Sequence, residues 1–201
     1  MFKLFKGLDY YRMYMNRLKE LKREIESADL PLKNDATNLV LYRGNPDAKV
    51  VFVGEAPGKN EDEQGLPFVG RSGTLLDEAI EQAGLTTYYI TNIVKYRPPE
   101  NRNPYVDEMK SHGEWLWREL SIISPVIVVP LGNTATKFFM SKIKNCSFSS
   151  VDGVSLLRGK RVEGKSFVVF PTFHPAATMY DRKKRPVFFE DISRVSGLLD
   201  G

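Results

Sequence analysis

Residues 50–54 read Val-Val-Phe-Val-Gly, and the glycine-rich stretch GEAPGKNEDEQGLPFVGRSG covers residues 54–73. The apolar run does not alternate with polar residues, which is the pattern of a strand buried on both faces of a parallel sheet. Three more runs of this kind occur at residues 88–94, 126–131 and 167–170. The sequence therefore predicts a sheet of four parallel strands.

Helical patterns separate these apolar runs. Apolar residues recur at helical spacing from Leu75 to Ala83, with Ser72 as the predicted N-cap and Gly84 as the predicted stop. Further helices are predicted over residues 106–123, 133–142 and 187–199. Strands that alternate with helices indicate an α/β fold with right-handed crossovers.

An additional helix is predicted before the first strand. Apolar residues from Leu8 to Ile25 mark its buried side, and charged residues cover the other side. A length of 201 residues fits one domain of ordinary size. We therefore expect a single domain over residues 1–201, with an N-terminal helix within 1–28 and the core within 30–199.

The composition is that of a globular protein, with 42% hydrophobic and 27% charged residues. The single cysteine, Cys146, excludes an internal disulfide and an all-cysteine metal site, and it favours a reducing compartment. We find neither a signal peptide nor an apolar run near the ~20 residues that span a bilayer. We expect a soluble cytoplasmic protein without a membrane partner. The net charge of +4 permits a polyanion partner but does not identify one.

In open α/β sheets the ligand site lies at the carboxyl ends of the strands. The loop of residues 54–73 follows the first strand, and a loop of this length usually carries function. Its glycines do not form a nucleotide phosphate loop, because Gly54 and Gly58 enclose three residues instead of four and Lys59 is followed by Asn60. The dinucleotide fingerprint is also missing. These spacings disfavour an ATPase and a nicotinamide enzyme.

The loop carries four carboxylates. Asp62 and Glu63 are predicted to belong to a solvated acidic turn. Glu55 differs from them because it directly follows a buried strand and must lie near the sheet edge. Glu61 is the fourth carboxylate, in a part of the loop whose path the sequence does not define.

Three further side chains near strand ends are candidates for a site. Phe68 is either a loop anchor packed on the core or a stacking platform. Asn92 lies within a predicted strand, where its amide needs hydrogen-bond partners. His174 follows the last strand and precedes Pro175, a position that suits a structural or a catalytic imidazole.

These loops together resemble those of the uracil-DNA glycosylase superfamily, specifically the family 4 enzymes of bacteria and archaea. The matching stretches are GEAPGKNEDEQGLPFVGRSGTLLD (54–77), YITNIVKYRPPENRNP (89–104) and HPAA (174–177). The resemblance covers about residues 30–199. It implies a three-layer α/β/α sandwich around a four-stranded parallel sheet. It also implies hydrolysis of the N-glycosidic bond of uracil in DNA, which leaves an abasic site and begins base excision repair.

The resemblance implies roles for the candidate residues. Phe68 would stack on the flipped base, and Asn92 would accept from uracil N3 and donate to O4, which discriminates against cytosine. His174 would donate to uracil O2 as negative charge develops on the departing base. Glu55 or Glu61 would orient the attacking water or stabilise the cationic sugar, with Glu55 favoured by its place at the strand end.

The resemblance also implies DNA contacts. Ala56 stands where the superfamily members with the fastest chemistry carry aspartate, and its backbone N–H would contact the base. After His174, either Met179 or Tyr180 would be the wedge that fills the vacated stack. A basic run, which would otherwise be solvated, would hold the DNA backbone: Arg182, Lys183, Lys184 and Arg185.

The sequence departs from family 4 at one feature. Those enzymes typically hold a four-iron cluster with four cysteines, and the corresponding positions here are Ser27, Leu30, Tyr96 and His112. None of these side chains supplies a thiolate, so we predict no cluster and no other metal. We expect Leu30 and Tyr96 to fill the space with apolar volume and His112 to be structural.

The leading hypothesis is a monomeric uracil-DNA glycosylase that acts on uracil-containing DNA at the nucleoid, without a cofactor. One alternative is a glycosylase for another deaminated base such as hypoxanthine, to which Asn92 would present the wrong edge. A second is an inactive DNA-binding accessory, against which the retained pocket residues argue. A nucleotide-binding domain of unrelated function is a third, disfavoured by the missing phosphate motifs.

Overall fold

The computed structural model describes the backbone of residues 2–199 and the side chains of residues 11–199. Within this range the strands are β1 (Tyr42–Gly44), β2 (Val50–Gly54), β3 (Tyr89–Asn92), β4 (Ile127–Pro130), β5 (Val162–Glu163) and β6 (Val168–Val169). They form one sheet in the order β1-β3-β2-β4-β6-β5. The parallel pairing of β3, β2, β4 and β6 is as predicted, and the short antiparallel strands β1 and β5 extend its two edges.

The described α-helices are α1 (Phe2–Ser27), α2 (Lys59–Gln64), α3 (Arg71–Gln82), α4 (Val106–Ile123), α5 (Asn133–Lys144), α6 (Val154–Leu157), α7 (Pro175–Tyr180) and α8 (Lys184–Gly197). None of them is long and apolar enough to cross a membrane. Helix α1 packs against α4, while α3, α7 and α8 pack against one another.

Both faces of the central strands are buried. Val51 and Val53 share one hydrophobic core with residues of α1, α4 and α5. Val50 and Phe52 share a second core with residues of α3 and α8. Because neighbouring residues of a strand point to opposite faces, a strand without polar positions needs helices on both sides. The predicted three-layer α/β/α architecture is confirmed, and α1 is the added N-terminal helix.

Several element boundaries differ from the prediction. Ser72 lies inside α3, whose N-cap is Gly70. The predicted stop, Gly84, has a φ of 70° just beyond the end of α3, in the left-handed region that glycine adopts at little cost. Helix α8 begins at Lys184, before the predicted residue 187. The edge strands β1 and β5 span three and two residues, which is too short for a periodic pattern to show.

Candidate active site

Side chains from two loops and from the end of β3 meet at the carboxyl edge of the sheet. Gly54 ends β2, and a Cβ atom there would lie 2.3 Å from Asn92 Oδ1 and 2.7 Å from the Phe68 ring. The centroids of the Phe68 and His174 rings are 5.6 Å apart. The fold therefore places Phe68 and Asn92 against a glycine that leaves room for them, with His174 beside Phe68.

Phe68 is held in an unusual backbone conformation. Its φ of 55° is uncommon for a residue with a side chain, and the residue is buried. Arg43 of β1 donates to the carbonyl oxygens of Pro67 at 2.9 Å and Phe68 at 3.3 Å, and it pairs with Asp77 at 2.6 Å. A Cβ at Gly73 would lie 1.8 Å from the Phe68 carbonyl oxygen. Sequence reasoning missed Arg43, since a single arginine in a three-residue strand forms no pattern.

The Glu61 carboxylate links two distant parts of the loop of residues 54–73 by hydrogen bonds. Its Oε1 accepts hydrogen bonds from the N–H groups of Val69 at 3.0 Å and Gly70 at 2.9 Å, and Oε2 accepts one from Gly58 at 3.2 Å. Three of the roughly four acceptor sites of the carboxylate are thus occupied by backbone donors. This geometry fixes the loop that carries Phe68.

The prediction of a solvated acidic turn is wrong for one residue. Asp62 is only 3% exposed and accepts hydrogen bonds from the backbone N–H groups of Thr37 and Asn38. These donors precede the first central strand, so the sequence around Asp62 does not show them. Glu63 is exposed, as predicted.

Glu55 lies where β2 ends and is partly buried. Burial raises the pKa of its carboxyl above the usual value, and a hydrogen bond with Thr134 opposes this shift. Among the described residues no backbone N–H donates to this carboxylate, in contrast to Glu61. The next residue, Ala56, is partly buried, and its N–H finds no acceptor in the described part of the chain.

His174 is the N-cap of α7, and its Nδ1 accepts a hydrogen bond of 3.2 Å from the N–H of Ala176. Burial lowers the pKa of His174 to about 4, and the nearby charge of Glu61 opposes this shift. The ring is therefore neutral near neutral pH, with its proton on Nε2. Gly132 has a φ of 89°, and a Cβ there would lie 2.8 Å from the His174 Cβ, so this glycine admits the histidine.

Asn92 ends β3 opposite Gly54 and is only 2% exposed. Its backbone carbonyl accepts a hydrogen bond of 2.7 Å from Lys95 Nζ. Its side-chain amide makes no hydrogen bond to the residues that the structure describes. An amide in such a position is ready to pair with a ligand.

The segment after His174 carries an exposed aromatic residue and the basic run. Tyr180, the last residue of α7, is 91% exposed, whereas Met179 is partly buried. The basic residues are not equivalent. Two of them form ion pairs: Lys184 Nζ lies 3.4 Å from Asp181 Oδ2, and Arg185 Nη2 lies 2.8 Å from Glu78 Oε2. Arg182 and Lys183 are exposed and make no ion pair within residues 11–199.

The four positions that the resemblance matches to cluster cysteines hold no side chain that fits an iron–sulfur cluster. His112 is fully buried, its Nε2 lies 3.0 Å from the Pro31 carbonyl oxygen, and its Nδ1 accepts from the Lys95 N–H at 3.4 Å. The Tyr96 ring packs edge-on against the His112 ring, with 6.0 Å between the ring centroids. Leu30 packs against the hydrophobic core that contains Tyr96. No position offers a thiolate, and within the described residues no group of three His, Cys, Asp or Glu side chains suits a metal ion.

Comparisons with known proteins identify the family. Residues 41–195 match the sequence profile of the uracil DNA glycosylase superfamily. The type-4 uracil-DNA glycosylase of Sulfurisphaera tokodaii is 42% identical over 192 residues, which covers 92% of this chain and 86% of that protein. The type-4 enzyme of Thermotoga maritima is 40% identical, with coverages of 84% and 87%. A DNA polymerase of Bacillus phage SP01 is 31% identical over 164 residues, or 17% of its length. The chain therefore belongs to the uracil-DNA glycosylase superfamily, as its loop motifs predicted.

Proposed function

We propose that this chain is a uracil-DNA glycosylase, which flips uracil out of DNA and hydrolyses its N-glycosidic bond as the first step of base excision repair. The observation that carries the proposal is the cluster at the end of β2, where Phe68 and Asn92 lie against Gly54 and the centroids of the Phe68 and His174 rings are 5.6 Å apart. Relatives named type-4 uracil-DNA glycosylases, which are 38–42% identical over most of the chain, support it.

Phe68 and Asn92 recognise the base. The Phe68 ring offers a face on which the flipped base stacks. The Asn92 amide supplies one acceptor for uracil N3–H and one donor for O4, side by side. Cytosine carries the opposite pattern on this edge, so it would leave both groups of a buried amide unpaired. The proposed pocket therefore selects uracil by hydrogen bonding and not by size.

His174 stabilises the leaving group. As the N-glycosidic bond breaks, the electron pair moves to the base and negative charge develops on uracil O2. The Nε2–H of His174 donates to this oxygen from a position fixed before substrate binds, so no reorganisation is needed during the reaction. Because the pKa of His174 is about 4, the ring acts as a neutral hydrogen-bond donor.

Glu55 acts on the deoxyribose or on the water that attacks it. Its partly buried carboxylate is free of backbone donors, so it orients the attacking water or stabilises the cationic sugar. The three backbone hydrogen bonds to Glu61 favour a positioning role for that residue over the water-orienting role considered from the sequence. The N–H of Ala56 contacts the extruded base.

DNA is held by the segment that follows His174. The exposed Tyr180 fills the gap that the flipped base leaves, with the partly buried Met179 behind it. Arg182 and Lys183 bind phosphates directly, while Lys184 and Arg185 exchange their carboxylate partners for phosphates. We further propose that the chain acts as one domain, as a monomer at the nucleoid, in a form without the iron–sulfur cluster.

The test is single-turnover cleavage of an oligonucleotide with one uracil, followed by alkaline scission of the abasic site. Matched oligonucleotides carry hypoxanthine or a thymine mismatch. The His174→Ala variant, purified by the same procedure, controls for contaminating glycosylases. We expect scission at uracil alone. Scission at hypoxanthine would favour the alternative substrate, and folded protein that binds DNA without scission would indicate an inactive accessory.

A further inference from the structure

A lysine with no exposed surface contacts the backbone of Asn92. The side chain of Lys95 is 0% exposed, and its ammonium donates to Thr91 Oγ1 at 2.7 Å, to the Asn92 carbonyl oxygen at 2.7 Å and to Glu119 Oε2 at 2.5 Å. The three N–H groups of the ammonium thus meet three acceptors. Lysine is almost never fully buried unless it is paired in this way.

The partner carboxylate belongs to a network that joins a helix to the sheet. Glu119 lies in α4 with a side chain that is also 0% exposed, and its Oε1 accepts a hydrogen bond of 2.6 Å from the Tyr89 hydroxyl. The Thr91 hydroxyl donates to the Leu41 carbonyl oxygen at 2.7 Å, next to β1. Burial of an ion pair is costly and is weak support for stability, so the arrangement calls for another reason.

The geometry at the end of β3 supplies that reason. The N–H of Ile93 donates to the Gly54 carbonyl on the β2 side at 3.0 Å. In a trans peptide the C=O points away from the N–H, so the Asn92 carbonyl faces the β1 side. The antiparallel pairing with β1 ends at Thr91, opposite Tyr42, so this strand pairing offers the Asn92 carbonyl no N–H. The Lys95 ammonium supplies the missing donor.

We infer that Lys95 is a positioning residue for Asn92, whose bond to the Asn92 carbonyl, held in place by Glu119, fixes the peptide from which the base-reading amide projects. The inference rests on the proposed function. Displacement of a reacting or recognising group by about 1 Å costs about 100-fold in rate. A network that fixes one peptide plane therefore contributes to the chemical step without touching the substrate.

The test is a double-mutant cycle between Lys95→Met and Asn92→Ala. In the wild-type background we expect Lys95→Met to lower the single-turnover rate at saturating enzyme by about 100-fold. The enzyme concentration for half-maximal rate should change by less than about threefold, because the DNA contacts are intact. In the Asn92→Ala background the same substitution should cost less than about threefold, since the amide that Lys95 positions is gone.

Two further variants separate positioning from stability. The double variant Lys95→Met with Glu119→Gln leaves no unpaired buried charge, and it replaces Lys95→Met if that variant does not fold. Leu21→Ala removes a buried side chain of α1 and controls for loss of stability alone. Equal rate losses in both backgrounds, or no loss in the wild-type background, would overturn the inference. A folded wild-type protein that excises no uracil would remove the proposed function and this inference with it.

Discussion

The backbone N–H of Ala176 donates a hydrogen bond of 3.2 Å to Nδ1 of His174. A ring nitrogen that accepts a hydrogen bond carries no proton, so the proton of the neutral imidazole lies on Nε2. Local backbone geometry at the start of α7 therefore selects the tautomer. The Phe68 ring packs beside the same imidazole, with 5.6 Å between centroids, and the backbone of Gly132 lies close to the His174 Cβ. The donor is oriented before any ligand arrives.

Replacement of His174 by alanine should lower the single-turnover rate on a uracil oligonucleotide by about 100- to 1000-fold, because one preorganised donor to the developing charge is lost. The DNA dissociation constant should hardly change, since the phosphate contacts lie elsewhere. Rate and affinity measured on the same oligonucleotide check this. A large loss of affinity with an unchanged rate would make His174 a binding residue.

Replacement of Gly54 by alanine should abolish most of the activity, because the new Cβ would lie 2.3 Å from Asn92 Oδ1 and displace the amide or the Phe68 ring. Gly197→Ala is the matched control, since a Cβ there meets nothing within 4 Å. It is the last residue of α8, and its replacement should leave both activity and stability close to those of the wild type. Single-turnover rates and thermal unfolding of both variants test the prediction. Full activity of folded Gly54→Ala would contradict the pocket geometry.

The central fold could be predicted because its signals are local. Four largely apolar runs that do not alternate with polar residues mark strands buried on two faces. Asn92 lies within one of these runs, and Phe68 and His174 lie in loops that follow two others. The contacts that hold these side chains could not be predicted, because each joins distant segments. Arg43 reaches Phe68 from an edge strand, and Asp62 receives its donors from residues ahead of the sheet. The sequence shows which residues are charged, but it does not show which residues they contact in the fold.

Replacement of Asn92 by aspartate should reduce uracil excision by about 100-fold, because a carboxylate cannot donate to uracil O4 and repels its partial charge. The chain should stay folded, since the Asn92 side chain makes no hydrogen bond within the described residues. Asn145→Asp at the exposed C-cap of α5 is the control for an added negative charge. Single-turnover rates and circular dichroism of both variants provide the check. Wild-type activity in a folded Asn92→Asp variant would refute the assignment of the amide.

Replacement of Tyr180 by alanine should slow excision from duplex DNA more than excision from single strands, because only the duplex has a stack to refill. We expect a duplex-specific loss of about tenfold, of the order of one lost stacking contact. Tyr180→Phe keeps the ring and should behave like the wild type. The ratio of the duplex and single-strand rates for the three proteins decides the outcome. An equal loss on both substrates would exclude a wedge.

The free energy of unfolding of the chain should fall as the pH drops below 6.5, the ordinary pKa of histidine. Burial lowers the pKa of His112 from 6.5 to about 4, with an opposing contribution from the Pro31 carbonyl. Between these pH values the unfolded chain binds a proton that the folded chain does not, so stability rises with pH across this window and is lost as pH falls. At about pH 5 the loss from this one group amounts to about 2 kcal/mol.

The variant His112→Gln isolates this contribution, because glutamine keeps a donor for the Pro31 carbonyl but does not titrate. Urea unfolding of both proteins at about pH 7.5 and about pH 5 gives the two changes in unfolding free energy. The wild type should lose about 2 kcal/mol more than the variant, because every other titratable group is present in both proteins and its contribution cancels. Equal losses in the two proteins would mean that His112 is protonated in the folded chain. A protonated His112 could not accept the Lys95 N–H, and the hydrogen bonding assigned to this buried ring would be wrong.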